Sequence, residues 1–101
     1  SDSDLKTLKP AIDILRLINA SNKPYSGAYC EFESEKLIIW DAVLIEDGEN
    51  FLAVPGQVTS IMKGSIIVAC GIGKLGLCSV EFDGKVLTPD TFIKSIRKRL
   101  L

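Results

Sequence analysis

Apolar residues recur at helical spacing as far as Ala20, and in alternating or continuous strand-like runs from Ala28 onward. Between Leu8 and Ala20, the residues Leu8, Ile12, Leu15 and Ile18 fall on one stripe, widened by Ala11, Ile14 and Leu17, with Asp13 and Arg16 opposite. This predicts an amphipathic helix that ends at Asn19 to Asn22 and carries Pro10 in its first turn, where a missing N–H costs nothing. A stripe of this kind is core more often than a partner-binding face. The change of character falls at Asn22 to Phe32, N-K-P-Y-S-G-A-Y-C-E-F. Pro24 biases Lys23 towards extended backbone, Gly27 opens conformations closed to other residues, and Ala28 begins a strand, so the segment reads as a corner between helix and sheet.

Past the corner, Ala28 to Phe32 and Lys36 to Glu46 read as two strands joined by Glu33, Ser34 and Glu35. Strict alternation places Leu37, Ile39, Asp41, Val43 and Ile45 on one face of the second strand and Ile38, Trp40, Ala42 and Leu44 on the other. Both faces are largely apolar, which predicts a central strand or one curled into a barrel. Asp47 to Asn50 is a loop, and Pro55-Gly56 is a turn opening a strand from Gln57 to Met62. Lys63-Gly64 leads into the β-branched run Ser65 to Cys70. Gly71 to Gly73 then connects to a strand from Leu75 to Phe82, and Asp83-Gly84 makes a tight hairpin into Lys85, Val86 and Leu87.

Thr88, Pro89 and Asp90 have the chemistry of a helix start, so a last helix is predicted with Phe92, Ile93, Ile96 and Leu100 as its stripe and Arg97, Lys98 and Arg99 in its final turn. Five or six short strands with a helix at each end describe a mainly β fold, a small antiparallel OB-like barrel with two flanking helices. A β-sandwich is the alternative. Residues 1–7 read as a linker or disordered N-terminus and residues 8–101 as one domain.

Composition narrows the chemistry. The chain has no histidine, which removes the commonest general base and metal ligand. Cys30, Cys70 and Cys78 have no CxxC spacing and sit among apolar neighbours, as buried thiols in a reducing cytoplasm do. No apolar run approaches the ~20 residues needed to cross a bilayer, so the expectation is a cytoplasmic chain with no membrane partner. Net charge is −1, unevenly spread. Residues 1–51 hold five Lys/Arg against ten Asp/Glu, and residues 52–101 hold seven against three. The basic cluster is terminal, at Lys94, Arg97, Lys98 and Arg99; its ordinary role is to complement a helix C-terminus, and with Lys74 it is the candidate RNA or anion contact.

Gly71-Ile72-Gly73-Lys74-Leu75-Gly76 satisfies GxGxxG after a strand, but a dinucleotide site needs a helix to begin there, and Leu77 to Phe82 continues as a strand pattern. Gly71 and Gly73 therefore read as a hairpin turn and Gly76 as a bulge or a close backbone approach. There is no GxSxG or P-loop, and Glu31, Glu33 and Glu35 read as a solvated face. Neither catalytic, cofactor-binding nor metal-binding residues are expected in this chain.

Four pieces in this order resemble the C-terminal domain of the formyltransferase family, which includes methionyl-tRNA and sugar-nucleotide formyltransferases. They are the Ile12 to Ala20 helix running into P-Y-S-G-A-Y; K-L-I-I-W-D-A at Lys36 to Ala42; Pro55-Gly56 with Val58; and I-V-A-C-G-I-G at Ile67 to Gly73, followed by Leu75. The commonest family corner reads N-P-W-P-G-A-Y, whereas here Lys23, Pro24, Tyr25 and Ser26 precede Gly27. The resemblance implies that Pro24, Tyr25, Gly27 and Tyr29 are structural residues setting the helix against the barrel.

It also implies that the family's catalytic Asn, His and Asp, and its 10-formyltetrahydrofolate, belong to a separate N-terminal domain, so no catalytic residue is carried over. The expected role is a non-catalytic accessory domain of a formyltransferase, positioning substrate or docking on the catalytic domain in cis or in trans. The alternatives are an accessory or dimerisation domain of a sugar-nucleotide N-formyltransferase, or a standalone RNA- or protein-binding module. Implied partners are that catalytic domain, tRNA, and a second copy of the chain.

Overall fold

The computed structural model describes residues 10–20, 28–46 and 54–95. One α-helix, α1 (Ala11–Ala20), is followed by β1 (Ala28–Phe32), β2 (Glu35–Ile45), β3 (Val58–Met62), β4 (Ser65–Ala69), β5 (Lys74–Phe82) and β6 (Lys85–Leu87), and then by a single 3-10 turn, Pro89–Thr91. The strands form one six-stranded sheet in the order β1-β2-β5-β4-β3, with β6 also on β5, and every pair is antiparallel. Strand β5 organises the sheet. Its whole length pairs with β2, while its opposite edge is shared, Lys74 to Leu77 lying against β4 and Val80 to Phe82 against β6. The mainly β, barrel-like expectation is met, but the sheet is not closed: among the described strands β1 and β3 are its two ends.

Turn chemistry explains the hairpins. Asp83 and Gly84 both take positive φ, 53° and 76°, the left-handed pair that matches strand twist in a two-residue connection. Glu33 and Ser34 do the same at 51° and 68° without a glycine, so this hairpin stores a backbone cost that cross-strand packing offsets. Pro55-Gly56 closes with a 2.9 Å bond from the Gln57 N–H to the Val54 carbonyl, and the Gly56 N–H reaches the Ala69 carbonyl at 2.8 Å. That second bond ties the entry to β3 onto the end of β4.

The core lies between α1 and the sheet. Ile14, Ile18, Leu37, Ile39, Val58, Ile66, Val68, Leu75, Leu77, Val80 and Ile93 are all fully buried. Two expectations from periodicity are corrected here. First, the buried face of α1 is Ala11, Ile14 and Ile18, with Leu15 packed at its side, whereas Ile12 is exposed. The cause is how the helix starts: the Ala11 N–H donates to the Ile72 carbonyl at 2.7 Å, and a Cβ on Gly73 would stand 3.4 Å from the Ala11 Cβ. Drawing Ala11 against the β4–β5 connection fixes the helix rotation, and Ile12, about 100° further round, faces out. Leu8 lies outside the described residues.

Second, β2 does not keep one alternation. Register shifts between Ile39 and Asp41 and between Asp41 and Ala42 mark a bulge, so Leu37 and Ile39 are buried before it and Ala42 after it, while Asp41 and Val43 are exposed. The first shift passes over Trp40 on β2 and the second over Cys78 on β5, so the later side chains of each strand turn to the opposite face while the pairing regains its register.

The predicted last helix is also corrected over its described part. Only Pro89–Thr91 is helical, Thr88 makes no side-chain cap bond, and Phe92 leaves helical geometry at φ −129°. Two tertiary contacts compete with the helix. Asp90 Oδ2 accepts the Gly64 N–H at 3.0 Å, and the Phe92 ring stacks on Phe82. Ile96 and Leu100 fall outside the described residues.

Candidate functional site

The basic terminal segment is the site that sequence reasoning singled out, and the structure shows how its first part is held. Phe32 at the end of β1, Phe82 at the end of β5 and Phe92 form an aromatic cluster. Phe82 and Phe92 stack with centroids 4.8 Å apart and planes at 11°, and Phe32 meets them edge-on at 5.8 and 5.6 Å. Ile93 follows, fully buried, and its N–H bonds the Pro89 carbonyl at 3.0 Å. Next in the chain is Lys94, which is exposed. The Asp90 carboxyl is held below its ordinary range first by the Gly64 N–H, then by the Thr88 side chain, with the Lys94 charge the smallest contribution. One free-standing cation in sequence is thus a neighbour of a carboxylate in space.

The remaining predicted residues are not brought together among the described residues. Lys74 is 6% exposed, at the start of β5 between Ala69 on β4 and Ile45 on β2. Burial takes Lys74 off the surface that an RNA contact requires. Arg97, Lys98 and Arg99 lie outside the described residues, as do Pro24, Tyr25 and Gly27 of the corner. Tyr29 is on β1, 40% exposed, with the Lys36 Nζ 4.9 Å from its ring centroid. It presents its ring to a cation at the surface.

Glycines of the GxGxxG run play structural parts. The Cys70 N–H bonds the Gly73 carbonyl at 2.9 Å to close the β4–β5 connection, and β5 then runs as a strand from Lys74. At Gly76 a Cβ would stand 3.1 Å from Val43 Cγ2 and 3.2 Å from Ile45 Cδ1, which is the close approach expected of it. Among the described residues no three His, Cys, Asp or Glu side chains are grouped as a metal site. The cysteines form no disulfide with one another, and burial pushes the Cys70 thiol up to about 12. Cys78 is raised too, by burial first and by Asp41 second, so neither thiol is poised as a thiolate nucleophile.

Sequence reasoning missed a second surface. Tyr29, Ile38, Glu81 and Val86 are aligned cross-strand neighbours over β1, β2, β5 and β6. Beside them the Trp40 indole N–H donates to Glu81 Oε1 at 2.9 Å. Alternation puts Trp40 on the face of Ile38, but which strands lie beside that face is decided by the sheet order, which the sequence does not spell out.

Comparison with known proteins decides the family. Residues 2–97 match the model for the formyl transferase, C-terminal domain. The chain belongs to that family. Similar relatives are methionyl-tRNA formyltransferases: that of Acetivibrio thermocellus is 34% identical over 76 residues, covering 74% of this chain and 24% of the relative. That of Lachnospira eligens is 34% identical over 80 residues, 76% of this chain and 25% of the relative. That of Acidithiobacillus ferrooxidans is 30% identical over 92 residues, 90% of this chain and 28% of the relative. The formyl transferase C-terminal domain described here therefore spans about a quarter of the length of the relatives it matches. Among its described residues, no helix is long and apolar enough to cross a membrane.

Proposed function

We propose that this domain is the non-catalytic C-terminal part of a cytoplasmic methionyl-tRNA formyltransferase-like protein, where it docks on the catalytic domain and helps hold the substrate. The observation that carries the reading is the family match over residues 2–97 combined with relatives about four times as long. Supporting it, the chain has no histidine, and burial suppresses the thiolate of Cys70. On this reading 10-formyltetrahydrofolate is bound by the catalytic domain and not by this chain.

The part that touches tRNA is the terminal segment: Lys94 at the surface, then Arg97, Lys98 and Arg99 in sequence. The acidic first half of the chain argues for a narrow footprint, because phosphate contacts need concentrated positive charge. The test is formyl transfer from 10-formyltetrahydrofolate to methionyl-tRNA by the full reading frame, with and without Arg97→Ala and Arg99→Ala. Expected is a raised KM with kcat retained, and binding that falls steeply with salt. Transfer by the isolated chain would refute the non-catalytic role, and an unchanged KM in the double variant would refute the tRNA contact.

A further inference from the structure

We infer that Ile72 and Ile12 form the apolar seat on which the preceding domain of the same polypeptide docks. Ile72 is the most exposed large apolar residue described, at 69%, and Ile12 is 38% exposed. The two belong to different elements joined at one point, since Pro10 bridges to Ile72 and the Ala11 N–H bonds the Ile72 carbonyl at 2.7 Å. Ile72 is therefore an outward apolar side chain on a pinned backbone, and ordering it on binding costs little backbone entropy. The GxG sequence around it keeps its neighbours small: Gly71 adds no side chain to the patch, and Gly73 lies under Ala11. Single exposed apolar residues are ordinary, but two on elements that a backbone hydrogen bond joins offer a common surface.

Chain continuity names the occupant. This inference rests on the reading above, in which the remaining three quarters of the protein joins upstream of Pro10. The patch adjoins Pro10, the first described residue, through the Pro10–Ile72 bridge, and a domain carried on the same polypeptide is presented to it at the effective concentration that its tether sets. Neither exposed residue of the patch is charged, and the ion pair nearest to Ile12 among the described residues, Arg16 with Asp13 at 3.2 Å, is neutral overall, which favours an apolar protein surface over a phosphate backbone as the occupant.

The experiment is small-angle X-ray scattering of the full-length protein with Ile72→Asn, Ile72→Leu and Val86→Asn, together with formyl transfer by the unaltered protein. Val86 is 53% exposed on β6, which pairs with the other half of β5, and serves as the control. Expected is a larger radius of gyration for Ile72→Asn alone, with the docked population reduced roughly tenfold or more, and a compact Ile72→Leu. Should Ile72→Asn fail to fold, Ile12→Asn gives the same readout from the helix side. Unchanged scattering in both asparagine variants of the patch overturns the docking surface, even if the protein transfers formyl groups. Expansion in a protein that transfers no formyl group leaves the seat standing and refutes the functional reading.

Discussion

Truncating Phe92 to alanine tests whether the terminal segment is held by packing or by its own helical propensity. Phe92 stacks on Phe82 at 4.8 Å and meets Phe32 edge-on at 5.6 Å, yet it remains partly exposed. A fully buried Phe→Ala costs about 3–5 kcal/mol, and each aromatic pair is worth about 0.5–1.5 kcal/mol beyond its area. Partial exposure lowers the first figure, so about 2–3 kcal/mol is expected for Phe92→Ala. For a domain of this size that is a fall in Tm of roughly 10–20 °C. Phe92→Leu keeps most of the apolar area and loses the ring contacts, so it is expected to cost about 1 kcal/mol. The assay is equilibrium urea unfolding of the parent, both single alanine variants at Phe82 and Phe92, and the double variant. A coupling energy near 1 kcal/mol between the two rings is the signature of direct stacking. A Phe92→Ala loss under about 0.5 kcal/mol, the range of an ordinary surface change, would refute the idea that the cluster anchors this segment.

Four further outcomes rest on other contacts of the fold. The Asp90 carboxyl is held below its ordinary range in the folded chain, so its contribution is present above the ordinary carboxylate range and is lost as pH falls through the lowered folded value; Asp90→Asn should flatten the acid limb of a stability–pH curve and leave the limb above neutrality unchanged. Under native conditions at pH 8, a thiol reagent should modify half-buried Cys78 before Cys30 or Cys70, both buried; mass spectrometry of the first adduct reads the order, and initial reaction at Cys70 would contradict its raised pKa. Gly84→Ala places a Cβ with nothing within 4 Å, so its cost isolates the φ of +76° and should be about 1–2 kcal/mol by urea unfolding. Gly76→Ala meets side-chain ends at 3.1 and 3.2 Å instead, and Val43→Ala should relieve its cost but not that of Gly84→Ala.

What the sequence by itself determined is the local chemistry. The described strands were legible as apolar or β-branched runs bounded by the corner before Ala28, by Glu33 to Glu35, and by Pro55-Gly56, Lys63-Gly64, Gly71 to Gly73 and Asp83-Gly84, most of which need a positive or fixed φ that restricts the residues able to occupy them. The existence of α1 was legible from helical spacing and the antiparallel sheet from the short turns, while the family was legible only as a resemblance of four sequence pieces in order. The tertiary structure decided orientation. Which face of α1 is buried depends on the bond from Ala11 to Ile72, and which face of β2 is buried changes at the Asp41 bulge, whose extra residue leaves no trace in an apolar run. Likewise Thr88, Pro89 and Asp90 carry helix-start chemistry, but Asp90 turns to Gly64 and Phe92 to Phe82, and a side chain has only one place to be. Local propensity amounts to tenths of a kcal/mol per residue, whereas a buried aromatic contact or a charge-assisted hydrogen bond is worth about one or more. Where the two compete in this chain, tertiary contacts prevail: pairing with β2 and β4 places Lys74, the Phe92 stack and buried Ile93 place Lys94, and the bond from Ala11 to Ile72 places Ile12.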